Sequence, residues 1–255
     1  MKKITLLSAL CLLALSPATP AFAAGDAKTP PEQDWSFKGL TGTYDRGALQ
    51  RGFQVYKQVC SACHGMRLKS YRNLEALGYT PEEVKAIAAE YTVMDGPDDE
   101  GEMFERPARP SDRFVSPYPN EETARYANNG ALPPDMSLIT KSRKYGADYI
   151  YALLTGYSEP EHGEVLQAGQ YYNKYMAGNK IAMAAPLADD VVAYEDGSPT
   201  TMEQYAKDVS QFLTWAAEPE LEQRKRMGLK VILFLLAFTG VMYAVKKKIW
   251  ADVKH

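Results

Sequence analysis

Residues 227–245, MGLKVILFLLAFTGVMYAV, hold a single charge, Lys230, and that run limits the folds open to the chain. As a helix rising about 1.5 Å per residue, it nearly matches a bilayer hydrocarbon core of about 30 Å. A helix in a soluble core carries a polar stripe, and this one has none, so the run predicts a membrane span. Arg224, Lys225 and Arg226 flank one end and Lys246, Lys247 and Lys248 the other, so basic residues alone do not orient it.

The opposite end supplies the orientation. Lys2 and Lys3 precede an apolar stretch from Ile4 to Leu15, and Ala21-Phe22-Ala23 is a small-residue cleavage site, so residues 1–23 read as a secretory signal. Bulky Leu10 before Cys11 speaks against a lipoprotein, and Cys11 is lost with the signal. The expected division is an exported domain over 24–223, an anchor with basic flanks over 224–248 and a cytoplasmic tail over 249–255. In a bacterium this is a single-pass protein of the inner membrane with its main domain in the periplasm.

Residues 24–223 contain 19 Lys and Arg against 31 Asp and Glu, a net charge of −12. Such a domain repels nucleic acid and attracts cationic partners. Asp95, Asp98, Asp99, Glu100, Glu102 and Glu105 concentrate in MDGPDDEGEMFERP, which reads as a mobile loop.

The rest predicts helices separated by long loops. Asp45 caps a helix towards Cys60, and Thr80-Pro81-Glu82-Glu83 opens one through Tyr91. Asn120 and Gly130 bracket a third, Tyr145 to Leu154 forms a fourth, and Thr201 starts a fifth with the stripe Met202, Tyr205, Val209, Phe212 and Ala216. No internal repeat and no convincing pair of strands is evident.

Cys60-Ser-Ala-Cys63-His64 carries the chemistry. A bare disulfide or a thiol oxidoreductase would use the two cysteines alone. Zinc would want a second ligand pair, which His162 and His255 do not provide at suitable spacing. The adjoining histidine favours C-x-x-C-H, the attachment sequence of c-type haem. Two thioether bonds tether the macrocycle while the imidazole reaches the iron from the same turn. Export and covalent attachment agree, because a noncovalent cofactor could escape.

A second axial ligand from methionine suits electron transfer, whereas an open face suits a peroxidase or gas sensor. Met66 is too near His64 to cross the macrocycle, Met227 and Met242 lie in the span, Met202 lies on an apolar stripe, Met94 and Met103 sit in the acidic loop, and Met176 follows an aromatic-rich run. Met136, in LPPDMSLI, and Met183, in KIAMAAPLADD, remain. Ala182, Ala184 and Ala185 allow close approach of the Met183 backbone to a flat ring, which favours Met183 without excluding Met136. His162, in EPEHGE, reads as a solvated loop residue.

RGFQVYKQVCSACHGM, ARYANNGALPPDMSLI, GNKIAMAAPL and QFLTWAAEPE, in that order and followed by the basic-flanked span, resemble the cytochrome c1 family. That family supplies the haem subunit of the quinol–cytochrome c oxidoreductase, or bc1 complex. The resemblance implies a mainly α fold: a cytochrome c-like helical haem domain with long loops and one C-terminal transmembrane helix. It implies one covalent haem c on Cys60 and Cys63, with His64 and Met183 as axial ligands and Arg125 paired with a propionate. Met136 then becomes packing near the haem.

The implied partners are cytochrome b, a Rieske iron-sulfur protein as electron donor and a soluble cationic c-type cytochrome as acceptor. The chain alone would be an electron carrier without bond-breaking chemistry. The alternative is a membrane-anchored haem enzyme with an open distal site. One departure is plain: some bacterial relatives brace the distal loop with an extra cysteine pair, and this chain has none.

Overall fold

The computed structural model describes residues 27–160 and 164–253; the expected signal, residues 1–23, and His162 lie outside the described residues. α1 (Arg46–Gln58) starts where the Asp45 carboxylate accepts from the Ala48 amide at 3.2 Å. It buries Leu49, Phe53, Val55 and Tyr56. α5 (Met202–Ala217), capped by Thr201, supplies the facing stripe of Tyr205, Val209 and Phe212, and this α1–α5 crossing is the centre of the domain. Phe53 and Tyr56 each place their ring 5.7 Å from that of Phe212. Phe114 continues the aromatic cluster and stacks on Tyr71 at 4.7 Å.

Gly52 makes the close crossing possible. A Cβ there would stand 2.2 Å from the Asp208 carbonyl oxygen and 2.7 Å from Phe212 Cβ. Gly52→Ala must therefore push the helices apart, and it is expected to cost about 1–3 kcal/mol by overpacking, read as a lowered denaturation midpoint of the purified full-length chain.

α2 (Pro81–Ala89) opens with the expected capping box, in which Thr80 Oγ1 accepts from the Glu83 amide and the Glu83 carboxylate accepts from the Thr80 amide. It ends two residues before Tyr91, because the chain turns into β1 (Thr92–Asp95), which pairs antiparallel with β2 (Phe104–Pro107). The acidic stretch is thus flanked by paired strands and forms a hairpin, which corrects the reading of the whole stretch as a loop and the expectation of no convincing pair of strands. Arg106 closes its base, binding Asp95 on one side and Asp112 at 2.6 Å on the other.

α3 (Glu121–Ala127) is capped by Asn120, and α4 (Ala147–Thr155) packs on α5. α4 begins two residues later than expected because Tyr145 takes a positive φ of 71°. A second small hairpin pairs β3 (Tyr171–Tyr172) with β4 (Lys180–Ile181).

α6 (Leu221–Ile249) runs unbroken through residue 224, where the sequence places the start of the anchor. Its first turns are tied to the domain: Glu222 accepts from the Tyr44 amide at 2.8 Å and binds both terminal nitrogens of Arg46, and Lys225 Nζ donates to the carbonyls of Phe37 and Gly42. Beyond it the apolar run has no protein cover. Length and hydropathy suffice for a membrane crossing, and lipid is the solvent that such a surface requires.

Candidate haem site

α1 delivers the chain directly into the cysteine motif. Its last turn passes into a tight 3-10 turn over Cys60–Ala62, and the Cys60 carbonyl accepts from both the Cys63 amide (3.1 Å) and the His64 amide (2.9 Å). This winding sets both sulfurs and the imidazole on one short bend. The two cysteines are free thiols, each partly buried. Burial, aided by neighbouring Cys63, pushes the Cys60 thiol up to about 12.

His64 is buried, and its Nδ1 lies 2.8 Å from the Pro134 carbonyl oxygen. A carbonyl only accepts, so Nδ1 carries the proton and the Nε2 lone pair is left for a metal. Burial lowers the ring's pKa, outweighing the opposing Pro134 hydrogen bond and Asp135 charge, and this favours the neutral, ligating form. The His64 carbonyl in turn accepts from the Tyr56 hydroxyl at 3.1 Å.

The segment after His64 is zipped to residues 134–137. Met136 N–H donates to the Gly65 carbonyl at 2.8 Å, Arg67 N–H to Asp135 at 2.8 Å, and Leu68 N–H to Ser137 Oγ at 3.0 Å. Burial pushes the Asp135 carboxyl up, but hydrogen bonds from Arg67 and Ser137 outweigh it and hold the group below its ordinary value. Met136 belongs to this unit and packs against the core beside it.

Met183 belongs to a second unit, built on α4 and the β3–β4 hairpin. It lies two residues beyond Ile181, half-buried, with its carbonyl accepting from the Tyr157 hydroxyl at 3.0 Å. Cys60, Met136 and Met183 all pack against the same hydrophobic core. Arg125 is on α3, exposed, with Nη1 donating to the Gly130 carbonyl at 3.2 Å.

The donor set fits haem c. It offers two sulfurs free to form thioethers, an imidazole oriented by its other nitrogen, and thioether side chains on separate segments. Among the described residues no three of His, Cys, Asp and Glu gather to hold a bare metal ion. The motif residues are readable from the sequence, whereas Pro134, which acts through its carbonyl, and Tyr157, which acts through its hydroxyl on a distant carbonyl, are not. The Pro133-Pro134 pair was a usable signal, since two prolines stiffen a chain segment.

The model of the Cytochrome C1 family matches residues 35–253. Cytochrome c1 of Rhodospirillum rubrum is 46% identical over 99% of this chain and 98% of its own length. A mitochondrial cytochrome c1 haem protein of Arabidopsis thaliana is 50% identical over 95% of this chain and 79% of its own. A protein of Bradyrhizobium diazoefficiens named cytochrome b/c1 is 51% identical over 88% of this chain, which spans only 36% of that relative's length. The match runs from the first buried tryptophan, Trp35, through the whole of α6 and past its end at Ile249, and the chain belongs to the cytochrome c1 family.

Proposed function

We propose that this chain is the haem c subunit of a membrane quinol–cytochrome c oxidoreductase, receiving electrons from a Rieske iron-sulfur protein and passing them to a soluble cationic c-type cytochrome. The observation that carries the proposal is the bend of Cys60, Cys63 and His64, with the imidazole locked by Pro134 in the tautomer that presents Nε2. Bound haem c supplies one reversible electron at its iron. Cys60 and Cys63 would tether it through their sulfurs, His64 and Met183 would hold its iron, and Arg125 would bind one of its carboxylates. Fixed ligands keep reorganisation on electron transfer small, and the chain itself makes and breaks no substrate bond.

The charge distribution supports the acceptor assignment. Arg106 binds both Asp95 and Asp112 and offsets one of their two charges, while Asp99, Glu100 and Glu102 in the turn and Glu105 on β2 remain exposed. Such a surface steers a cationic partner and lets it leave, with docking that weakens as salt rises. α6 anchors the domain, with residues 24–223 periplasmic and the tail from 249 cytoplasmic. The Bradyrhizobium relative's name joins cytochromes b and c1, which supports cytochrome b as the neighbour in the membrane.

Extraction of the full-length chain from membranes in mild detergent tests this reading. The expected result is a red protein whose haem stain survives denaturing electrophoresis and which brings cytochrome b and an iron-sulfur protein with it. A colourless mature chain, from cells whose haem-attachment machinery works, would overturn it.

A further inference from the structure

We propose that Tyr157 is the positioning residue for the distal thioether: its hydroxyl, fixed by the junction of α4 with the β3–β4 hairpin, holds the Met183 backbone where other chains could use a covalent brace. The proposal rests on the reading of Met183 as the distal ligand. Its geometry begins at the C-terminal end of α4, where Gly156 is buried. A Cβ on Gly156 would stand 2.4 Å from the Tyr175 ring and 2.6 Å from the Ala152 carbonyl oxygen, so the hairpin packs directly on the helix end.

Asn173 is the hub of that junction. It is fully buried, its Nδ2 donates to the Leu153 carbonyl at 2.7 Å, and its Oδ1 accepts from the Tyr175 amide at 3.0 Å. Its own amide donates to the Asn179 carbonyl at 2.9 Å, and the next amide, Lys174 N–H, donates to the Gly156 carbonyl at 3.1 Å. Tyr157 and Asn173 also form an antiparallel bridge. The backbone at Tyr157 is thereby held through the Gly156 carbonyl and the bridge to Asn173, and Tyr157 is half-buried.

From this base the hydroxyl donates to the Met183 carbonyl at 3.0 Å. The direction is unambiguous, because a carbonyl only accepts, and burial with neighbouring Tyr171 pushes the phenol's pKa up so that it keeps its proton. Ala182, Ala184 and Ala185 around Met183 are exposed or small and contribute little side-chain packing of their own. The bond therefore restrains a segment that has few other restraints, at the residue whose side chain must reach the iron.

Tyr157→Phe in the membrane-extracted full-length protein removes the donor and keeps the ring. Three properties are read: the Met-to-iron charge-transfer band of the oxidised protein, the midpoint potential, and carbon monoxide binding by the reduced protein. The expected outcome is unchanged haem content, a weaker band, a lower potential, and a population with Met183 dissociated raised about tenfold, equivalent to about 1.4 kcal/mol, with carbon monoxide binding faster in proportion.

Replacing Tyr157 with 3-fluorotyrosine makes the phenol a stronger donor at nearly constant shape. It is expected to slow carbon monoxide binding below the parent's rate, since that rate follows the small population with Met183 dissociated, which loss of packing alone would not do, and it serves equally if Tyr157→Phe fails to accumulate. Bands, potentials and rates equal to the parent's in both variants would overturn the positioning role. Absence of the charge-transfer band from the parent protein would instead overturn the assignment of Met183 itself, so the two failures are distinguishable.

Discussion

Met183→Leu is expected to lower the midpoint potential by more than about 0.1 V, a modest part of the roughly 0.8 V that axial ligation spans in haem proteins. A thioether is a soft, neutral donor that favours the reduced iron, and leucine keeps the volume while offering no donor. Water or another hard donor in its place favours the oxidised form, so the sign is downward. Reduced Met183→Leu is also expected to bind carbon monoxide avidly, in contrast to the parent.

Met136→Leu is the matched control. Met136 N–H is bonded to Gly65, next to His64, and its side chain packs against the core, so a swap of nearly equal volume should cost less than about 1.5 kcal/mol and leave the potential almost unchanged. Redox titration of the two variants side by side decides the ligand. A large fall in Met136→Leu with none in Met183→Leu would transfer the axial role to Met136.

Much of this organisation is legible in the residues. Asp45, Thr80, Asn120 and Thr201 each cap a helix at the position read for them, because capping is a local interaction within three residues. The apolar run and the cysteine motif are equally local. The hairpins were missed because their strands are two or four residues long and the first pair is largely exposed, with no apolar alternation to reveal pairing. The supports of the site were missed for a related reason. His64 meets Pro134 across 70 residues and Tyr157 meets Met183 across 26, and in both pairs the acceptor is a backbone carbonyl, which any residue type could provide. Motifs thus name the atoms that bind, while the geometry that orients them comes from tertiary pairing.

The buried charge between α1 and α5 carries the largest stability effect expected in the domain. Asp208 is fully buried and accepts from Arg51 through two bonds, Nε to Oδ2 at 2.9 Å and Nη2 to Oδ1 at 3.2 Å, while Gln204 Nε2 donates to Oδ2 at 3.0 Å. Arg51 reaches on to Asp196 at 2.7 Å and lies 5.7 Å from the centre of the Tyr194 ring. Asp208→Ala strips the guanidinium of its buried partner and is expected to cost about 3–5 kcal/mol, measured by chemical denaturation of the full-length protein in detergent. The double change Arg51→Met with Asp208→Leu should recover much of that loss, because neither charge is then stranded. A loss below about 1 kcal/mol in Asp208→Ala would show that the pair does not hold the crossing. The rim contact behaves differently with pH. A hydrogen bond from the Ser198 amide, then one from Arg51, holds the Asp196 carboxyl at about 2. Since that value lies below the ordinary one near 3.9, its contribution is full at neutral pH, declines as pH falls below the ordinary value and is gone below about 2. Mild acid should therefore leave the Arg51 contacts with Asp196 in place. Asp208 lies against Gly52, two turns before the haem bend, so a weakened crossing is also expected to reduce haem attachment at Cys60 and Cys63, with the stain falling in step with the lost stability.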